Sequence, residues 1–138
     1  LGLVLFGSIS NKLGRKGAFI FYHVGGLIMA LLMFLVLIPQ NASVPILCVA
    51  LPVFGFLTLG MHAGYAVYFP ELFPTRLRGT GTGFCFNAGR FGTAAAMFIA
   101  AQLSWNPEQK ALYLAPLFAL GVVVTLMGRE TRGEELPE

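Results

Sequence analysis

Arg90 is the residue whose place in the sequence most directly predicts a chemical role. It is the one charged residue in the 24 residues from Thr80 to Leu103, a segment long enough to cross a membrane as a helix. A charged side chain near the bilayer centre costs at least about 2.5 kcal/mol, so we expect an arginine there to serve a function. At helical spacing it shares one face with Gly83, Asn87, Ala94 and Met97. Arg90 and Asn87 are therefore candidate contacts for an anionic solute or a counter-charge; an arginine bonded only to backbone carbonyls is the alternative.

The preceding apolar segment carries a second candidate set. Thr58, His62 and Tyr65 follow one another at helical spacing and therefore share a face. A histidine titrates near neutral pH, so His62 can accept and release a coupling proton. The alternative is a packing role, because Gly60 and Gly64 flank it and small residues at this spacing let helices approach closely.

Two arginines and two glutamates near the ends of apolar segments form a third candidate set. Glu71 and Arg78 lie in one turn. Arg15 comes before the first long apolar segment, and Glu130 comes after the last one. A guanidinium presents a planar fork that matches a carboxylate, so we predict that both arginines pair with these glutamates. The alternative is a set of exposed pairs worth about 0 to 1 kcal/mol each.

The distribution of charge predicts an all-α membrane protein. Residues 17–70 contain no Asp, Glu, Lys or Arg, and charged residues make up 11% of the chain, against about 25% in soluble domains. Backbone groups in lipid must bond within their own segment, so the membrane spans are helices. The predicted elements are the end of a helix at 1–9, four membrane helices at 17–38, 44–69, 80–103 and 111–127, and a tail at 128–138.

Proline and glycine predict where these helices end. Pro70 lacks an N–H and disfavours a helical residue before it, so the second membrane helix is expected to end near Phe69. Gly7, Gly14 and Gly79 are expected to permit tight reversals or close helix approach.

Lysine and arginine alternate along the chain in a way that predicts orientation. The turns at 10–16, 70–79 and 128–132 hold seven of the nine basic residues, whereas the turns between them hold only Lys110. Cytoplasmic turns carry an excess of basic residues. We therefore expect a protein integral to the lipid bilayer of the cell (inner) membrane, with a cytoplasmic C-terminus. The net charge of +3 then reflects orientation, and no binding of nucleic acid is indicated.

The sequence indicates neither an enzyme nor a cofactor-binding protein. It contains no zinc-ligand spacing, no phosphate-binding loop and no nucleophile elbow. Because Leu1 stands inside an apolar run too short to cross a membrane, we expect the chain to be a fragment of a longer protein.

Three segments resemble signatures of the major facilitator superfamily. Residues 7–16, G-S-I-S-N-K-L-G-R-K, resemble its G-x-x-x-D-[RK]-x-G-[RK]-[RK] turn between the second and third helices of each half. Residues 71–79, E-L-F-P-T-R-L-R-G, resemble the E-x-F-P-T-x-x-R-x turn between helices ten and eleven of sugar-porter-like and related metabolite transporters. Residues 129–133, R-E-T-R-G, resemble the P-E-T-[KR]-G run after helix twelve. Asn11 replaces the usual Asp and Arg129 the usual Pro, so the role of the missing carboxylate is open.

The resemblance implies a twelve-helix transporter, of which the chain covers the part from the end of helix eight through helix twelve. It implies secondary active or facilitative transport of a small polar or anionic solute, of the sugar or organic acid class, by alternating access between two six-helix halves. The implied partners are the solute, the N-terminal half of the same protein and, as one option, a coupling proton. Cytoplasmic ion pairs would hold the inside closed. The alternative is a membrane receptor or assembly subunit that keeps this fold without transporting.

Overall fold

The computed structural model describes residues 2–133 and residue 137, and within them every regular element is helical. Helix α1 spans Gly2–Leu32 and continues into a π-helical segment, Met33–Leu37. Helices α2 and α3 span Val44–Leu72 and Arg78–Gln102. Helices α4 and α5 span Pro107–Leu114 and Pro116–Met127. The predicted all-helical fold is confirmed for these residues.

A single residue makes the break that the sequence predicted as a longer turn. Gly14 has φ 80° and ψ 170°, a conformation that a residue with a Cβ rarely adopts, and α1 is helical on both sides of it. The helix end predicted at 1–9 and the helix predicted at 17–38 are thus two helical stretches, residues 2–13 and 15–32, which meet directly at Gly14. The close approach expected at Gly7 and Gly79 is not seen among the described residues, since none of them beyond the local backbone lies within 4 Å of a Cβ built at either position.

Helix α2 ends three residues later than expected, at Leu72. Pro70 is accommodated in its last turn, where the loss of one N–H removes only one bond of the helix. The helix ends because Phe73 is extended, with φ −114° and ψ 141°. Phe73 precedes Pro74, and a residue before proline is disfavoured in the helical region.

The helix expected at 111–127 starts earlier and is interrupted. Helix α4 begins at Pro107, where the side chain of Gln109 accepts the N–H of Asn106 at 3.0 Å. The interruption falls at Ala115, because Pro116 has no N–H to continue the bonding of α4 into α5.

The core lies where α1 packs against α2 and α5, and α3 packs on α2. Its buried side chains come from α1 and α2: Phe6, Ala18, Phe19, Tyr22, Leu57 and Met61. The close packing predicted at the two glycines of α2 is confirmed, since the ring of Tyr22 covers Gly60 and the rings of Phe6 and Phe19 cover Gly64.

Within the described residues, two helical segments are long and apolar enough to cross a membrane. They are Gly2–Leu37 and Val44–Leu72, in which an 18-residue window has a mean hydropathy of 2.3 and 2.2, respectively, and Ala111–Met127 is a shorter apolar stretch. Helix α3 has sufficient length, but it contains Arg90 and several glycines and is less apolar. The expected number of four crossings therefore stays a prediction.

We expect Gly60→Ala to destabilise the protein by about 1 to 3 kcal/mol, the usual effect of overpacking a core. The added methyl group would overlap the fully buried ring of Tyr22, which also stacks on Phe6. Thermal unfolding of the detergent-purified protein measures the change. Gly55→Ala is the matched control on the same helix, because a Cβ built there meets no described residue beyond the local backbone within 4 Å. Alanine in place of glycine stabilises a helix interior by up to about 1 kcal/mol. Equal shifts in the two variants would contradict the packing described for Tyr22.

Candidate functional site

Three segments that are distant in sequence meet at the end of the helices where the basic residues concentrate. They are the break at Gly14, the last turn of α2 and the segment that follows α5. Five side chains connect them, and we call this set the polar network: Ser10, Arg15, Glu71, Glu130 and Thr131.

Arg15 and Glu71 form the central ion pair of the polar network. The Nη2 of Arg15 lies 2.8 Å from Oε1 of Glu71, and its Nε lies 3.2 Å from Oε2. Their side chains are only 17% and 15% exposed, so this pair is held more strongly than an exposed one. The hydrogen bond to Glu71 raises the pKa of Arg15 above its ordinary value. Removing either partner would leave the other charge partly buried without its counter-ion.

Glu130 binds backbone instead of an arginine side chain. Its carboxylate accepts the N–H groups of Arg15 at 2.8 Å, Lys16 at 3.0 Å and Arg132 at 3.0 Å. The first two belong to the turn that restarts α1 after Gly14, where N–H groups have no partner in the helix and favour a negative charge. Burial acts to raise the pKa of Glu130, but the three N–H groups lower it below its ordinary value.

Two buried hydroxyl groups complete the polar network, and neither was predicted from the sequence. The Nη1 of Arg15 donates to Oγ of Ser10 at 2.6 Å, and Oγ1 of Thr131 donates to Oε2 of Glu71 at 2.5 Å. Thr131 could have been found because it adjoins Glu130. Ser10 lies five residues before Arg15, on the other side of the break, and its type alone gives no signal.

Arg78 does not take the role that the sequence predicted. Its Nε donates to the carbonyl of Pro70 at 3.1 Å, and its Nη2 lies 3.3 Å from the carbonyl of Pro137 and 3.4 Å from Oγ1 of Thr75. Within the described part of the chain it forms no ion pair or hydrogen bond with Glu71 or Glu130. Arg78 thus bonds across the turn between α2 and α3 and attaches Pro137 to that turn.

The predicted substrate residues lie on α2 and α3, and within the described part of the chain no hydrogen bond joins the two groups. Arg90, Asn87 and His62 are exposed. Thr58 and Asn87 bond to carbonyls of their own helices. The rings of His62 and Tyr65 lie 6.4 Å apart.

One contact between α2 and α3 shows how far Arg90 and Tyr65 lie from the polar network along their helices. The rings of Phe69 and Phe86 lie 5.4 Å apart, and a short turn makes α2 and α3 antiparallel. Tyr65 comes four residues before Phe69, and Arg90 comes four residues after Phe86. Both are therefore about 6 Å farther from the polar network than this ring contact.

A cavity of about 830 Å³ lies between α1, α2, α3 and the last two helices. Most of its lining is apolar, and its polar side chains are Lys16, His23, Tyr65, Tyr68, Thr93 and Thr125. Of the predicted substrate residues only Tyr65 lines it. A lining with so few hydrogen-bonding groups does not match a polar or anionic solute, so we do not assign the solute site to this cavity.

We expect the stabilising effect of Glu130 to depend on pH. Because its folded pKa is lowered, the effect is fully present above the unfolded pKa near 4.5 and is lost as the pH falls through the folded value. Glu130→Gln lacks this titration and should unfold at a lower temperature than the unsubstituted protein at pH 7. The two melting temperatures should converge as the pH falls below 4.5. A difference that stays constant down to pH 3 would contradict the capping role.

Comparison with known proteins matches the chain to one family and to relatives that are named as transport proteins. The family described as "Sugar (and other) transporter" matches residues 2–138. The chain is 38% identical over 96 residues to the cis,cis-muconate transport protein of Acinetobacter baylyi, covering 70% of this chain and 22% of that protein. It is 33% identical over 134 residues to the inner membrane metabolite transport protein YhjE of Escherichia coli, covering 94% and 30%. It is 29% identical over 136 residues to the sialic acid transporter NanX of Escherichia coli, covering 96% and 32%.

The chain thus spans between about a fifth and a third of the length of these relatives. No solved structure matches it significantly. The family match covers nearly every residue, including the three segments that resemble major facilitator signatures. The chain belongs to the sugar (and other) transporter family of the major facilitator superfamily and is part of an integral membrane protein.

Proposed function

We propose that the chain is the C-terminal part of a twelve-helix transporter that moves a small polar or anionic solute across the membrane by alternating access. Its family membership and the names of its relatives support transport. Two of those relatives are named for acids, muconate and sialic acid, which favours an organic acid or acidic sugar as the solute. Coupling to a proton and simple facilitated diffusion are both compatible with this proposal.

The polar network is the observation that carries the proposal. It connects three helix ends through contacts between residues that are 56 to 115 positions apart. Contacts of this kind can bias a two-state equilibrium only if they differ between the states. We infer that the network is formed when the transporter is closed on the inside and is broken when that side opens. In this role Arg15, Glu71 and Glu130 make the contacts of an inner gate, and Arg78 supports it by fixing the turn after α2.

The proposed orientation places the polar network in the cytoplasm. The basic residues of the three connected segments lie at that end, as the positive-inside rule requires of a cytoplasmic surface. At the opposite end Trp105 and Tyr113 are exposed, with ring centroids 5.3 Å apart. Exposed Trp and Tyr are enriched at membrane interfaces. The proposal therefore has four crossings, a cytoplasmic tail and an inner membrane location, which is also named for one relative.

Arg90 is the proposed contact for the negative charge of the solute. It is the central residue of α3, twelve residues from Arg78 and twelve from Gln102, or about 18 Å from either end. This position corresponds to the membrane midplane, where transporters of this kind bind their solutes. Asn87 lies one turn away on the same helix, and Tyr65 lies at the same depth on α2. His62 and Thr58 continue that face of α2 and are the proposed coupling and solute contacts.

Counterflow in liposomes tests the proposal against a receptor or assembly subunit with the same fold. The complete protein is reconstituted with an unlabelled small carboxylate or acidic sugar inside, and uptake of the labelled compound is followed. A transporter accumulates label transiently, whereas a protein that only binds its ligand does not. The absence of counterflow with every solute of the acid and sugar classes would reject transport for this protein.

In the same assay we expect Arg90→Lys to reduce uptake while insertion and melting temperature stay normal. Lysine keeps the positive charge but loses the planar fork that binds a carboxylate at two points. Arg90→Ala should reduce uptake further. Arg76→Ala is the control, because Arg76 is exposed in the turn after α2 and far from the midplane. Normal uptake in both Arg90 variants would remove Arg90 from the site, and joint loss of stability and uptake would make it structural.

A further inference from the structure

We propose that Thr131 and Ser10 are positioning residues for the Arg15–Glu71 pair, so that the segment after α5 controls whether the inner gate can form. This inference rests on the proposed function, because it assigns to these two hydroxyl groups a role in the inner gate. The inference is based on the two buried hydroxyl groups that flank the Arg15–Glu71 ion pair, one bonded to each partner.

Thr131 acts on the carboxylate. It is 7% exposed, and its hydroxyl donates to Oε2 of Glu71 at 2.5 Å. The same oxygen accepts Nε of Arg15, while Oε1 accepts Nη2. A carboxylate can rotate about its last bond, and in most orientations only one oxygen meets the guanidinium. A third donor from a fixed direction selects the orientation in which both oxygens are engaged.

Ser10 acts on the guanidinium from the opposite side. Its side chain is fully buried, and its Oγ accepts Nη1 of Arg15 at 2.6 Å. With Nε and Nη2 directed to Glu71, all three nitrogens of the guanidinium have a partner. Because the guanidinium is planar, a contact at its third nitrogen fixes the plane in which the other two point. The arginine is thereby held in the geometry that Glu71 requires.

The neighbours of Thr131 explain how it is held in place. Glu130 is bound to the backbone of Arg15 and Lys16, and Nη1 of Arg132 donates to the carbonyl of Lys12 at 3.0 Å. Both residues beside Thr131 are thus attached to α1, whereas Thr131 itself contacts Glu71 of α2. Displacement of this segment would remove the cap on α1 and the donor to Glu71 in a single step. The segment therefore connects the two helices that the ion pair joins.

The test uses the complete protein with its native cysteines replaced by serine and a reporter cysteine at Gly83. Gly83 lies in α3, and a Cβ built there meets no described residue beyond the local backbone within 4 Å, so the substitution fits. The rate at which a membrane-impermeant maleimide labels this cysteine from the cytoplasmic side reports how open that side is. Thr131→Val keeps the shape of the side chain and removes the hydroxyl, and Thr131→Ser keeps the hydroxyl.

We expect Thr131→Val and Ser10→Ala to raise the labelling rate roughly tenfold, the effect of losing one hydrogen bond to a charged group. Thr131→Ser should label at the original rate. Thr80→Val is the matched control, since Thr80 is an exposed threonine at the end of α3 that carries the reporter cysteine. In this variant the reporter cysteine should be labelled at the original rate as well.

Two outcomes separate this inference from the proposed function. If Arg15→Ala raises the labelling rate and Thr131→Val does not, the ion pair gates the protein without help from the hydroxyl group and the positioning role is wrong. If Arg15→Ala has no effect either, the inner gate itself is wrong. A lower melting temperature in Thr131→Val at an unchanged labelling rate would show a purely structural role and would also overturn the inference.

Discussion

The arrangement at the basic end of this protein follows from one backbone constraint, the break at Gly14. A positive φ interrupts α1 and leaves the N–H groups of the next turn without acceptors inside the helix. The carboxylate of Glu130 supplies the acceptors from a segment more than 100 residues away. This contact brings Thr131 beside Glu71 and directs Arg15 toward the end of α2. The helix break and the ion pair are therefore parts of one structure, and a side chain at position 14 would disturb both.

The sequence predicted the helices well because long apolar segments can satisfy their backbone only as helices in lipid. It predicted their ends less well, because the ends depend on single residues. Gly14 reduces a predicted turn of seven residues to one, and Pro74 ends α2 where Pro70 was expected to do so. Pro116 divides a helix that hydrophobicity alone presents as continuous. A proline near a helix end can lie in the last turn, follow the end or begin the next helix, and the packing around it decides which of these occurs.

In the candidate site, too, the sequence predicted charged residues that take part but not which groups they bind. Charged residues at the ends of apolar segments identified Arg15, Glu71 and Glu130, but spacing could not show which groups they bind. Glu130 binds backbone N–H groups that the break leaves without acceptors in the helix, and Arg78 binds the carbonyls of Pro70, at the end of α2, and Pro137. Serine and threonine are too common for their types to predict the roles of Ser10 and Thr131. The roles of Arg90 and His62 stay predictions, because each depends on a bound solute.

The central claim is that the Arg15–Glu71 pair distinguishes two states of the transporter. The most direct measurement is the distance between two spin labels in the complete protein in liposomes. The labels are placed at positions 11 and 76, which are both exposed and lie in α1 and in the turn after α2. We expect two populations, one at the separation seen in this structure and one at a longer separation whose share grows when Arg15 is replaced by alanine. A single population that does not respond to Arg15→Ala would contradict it.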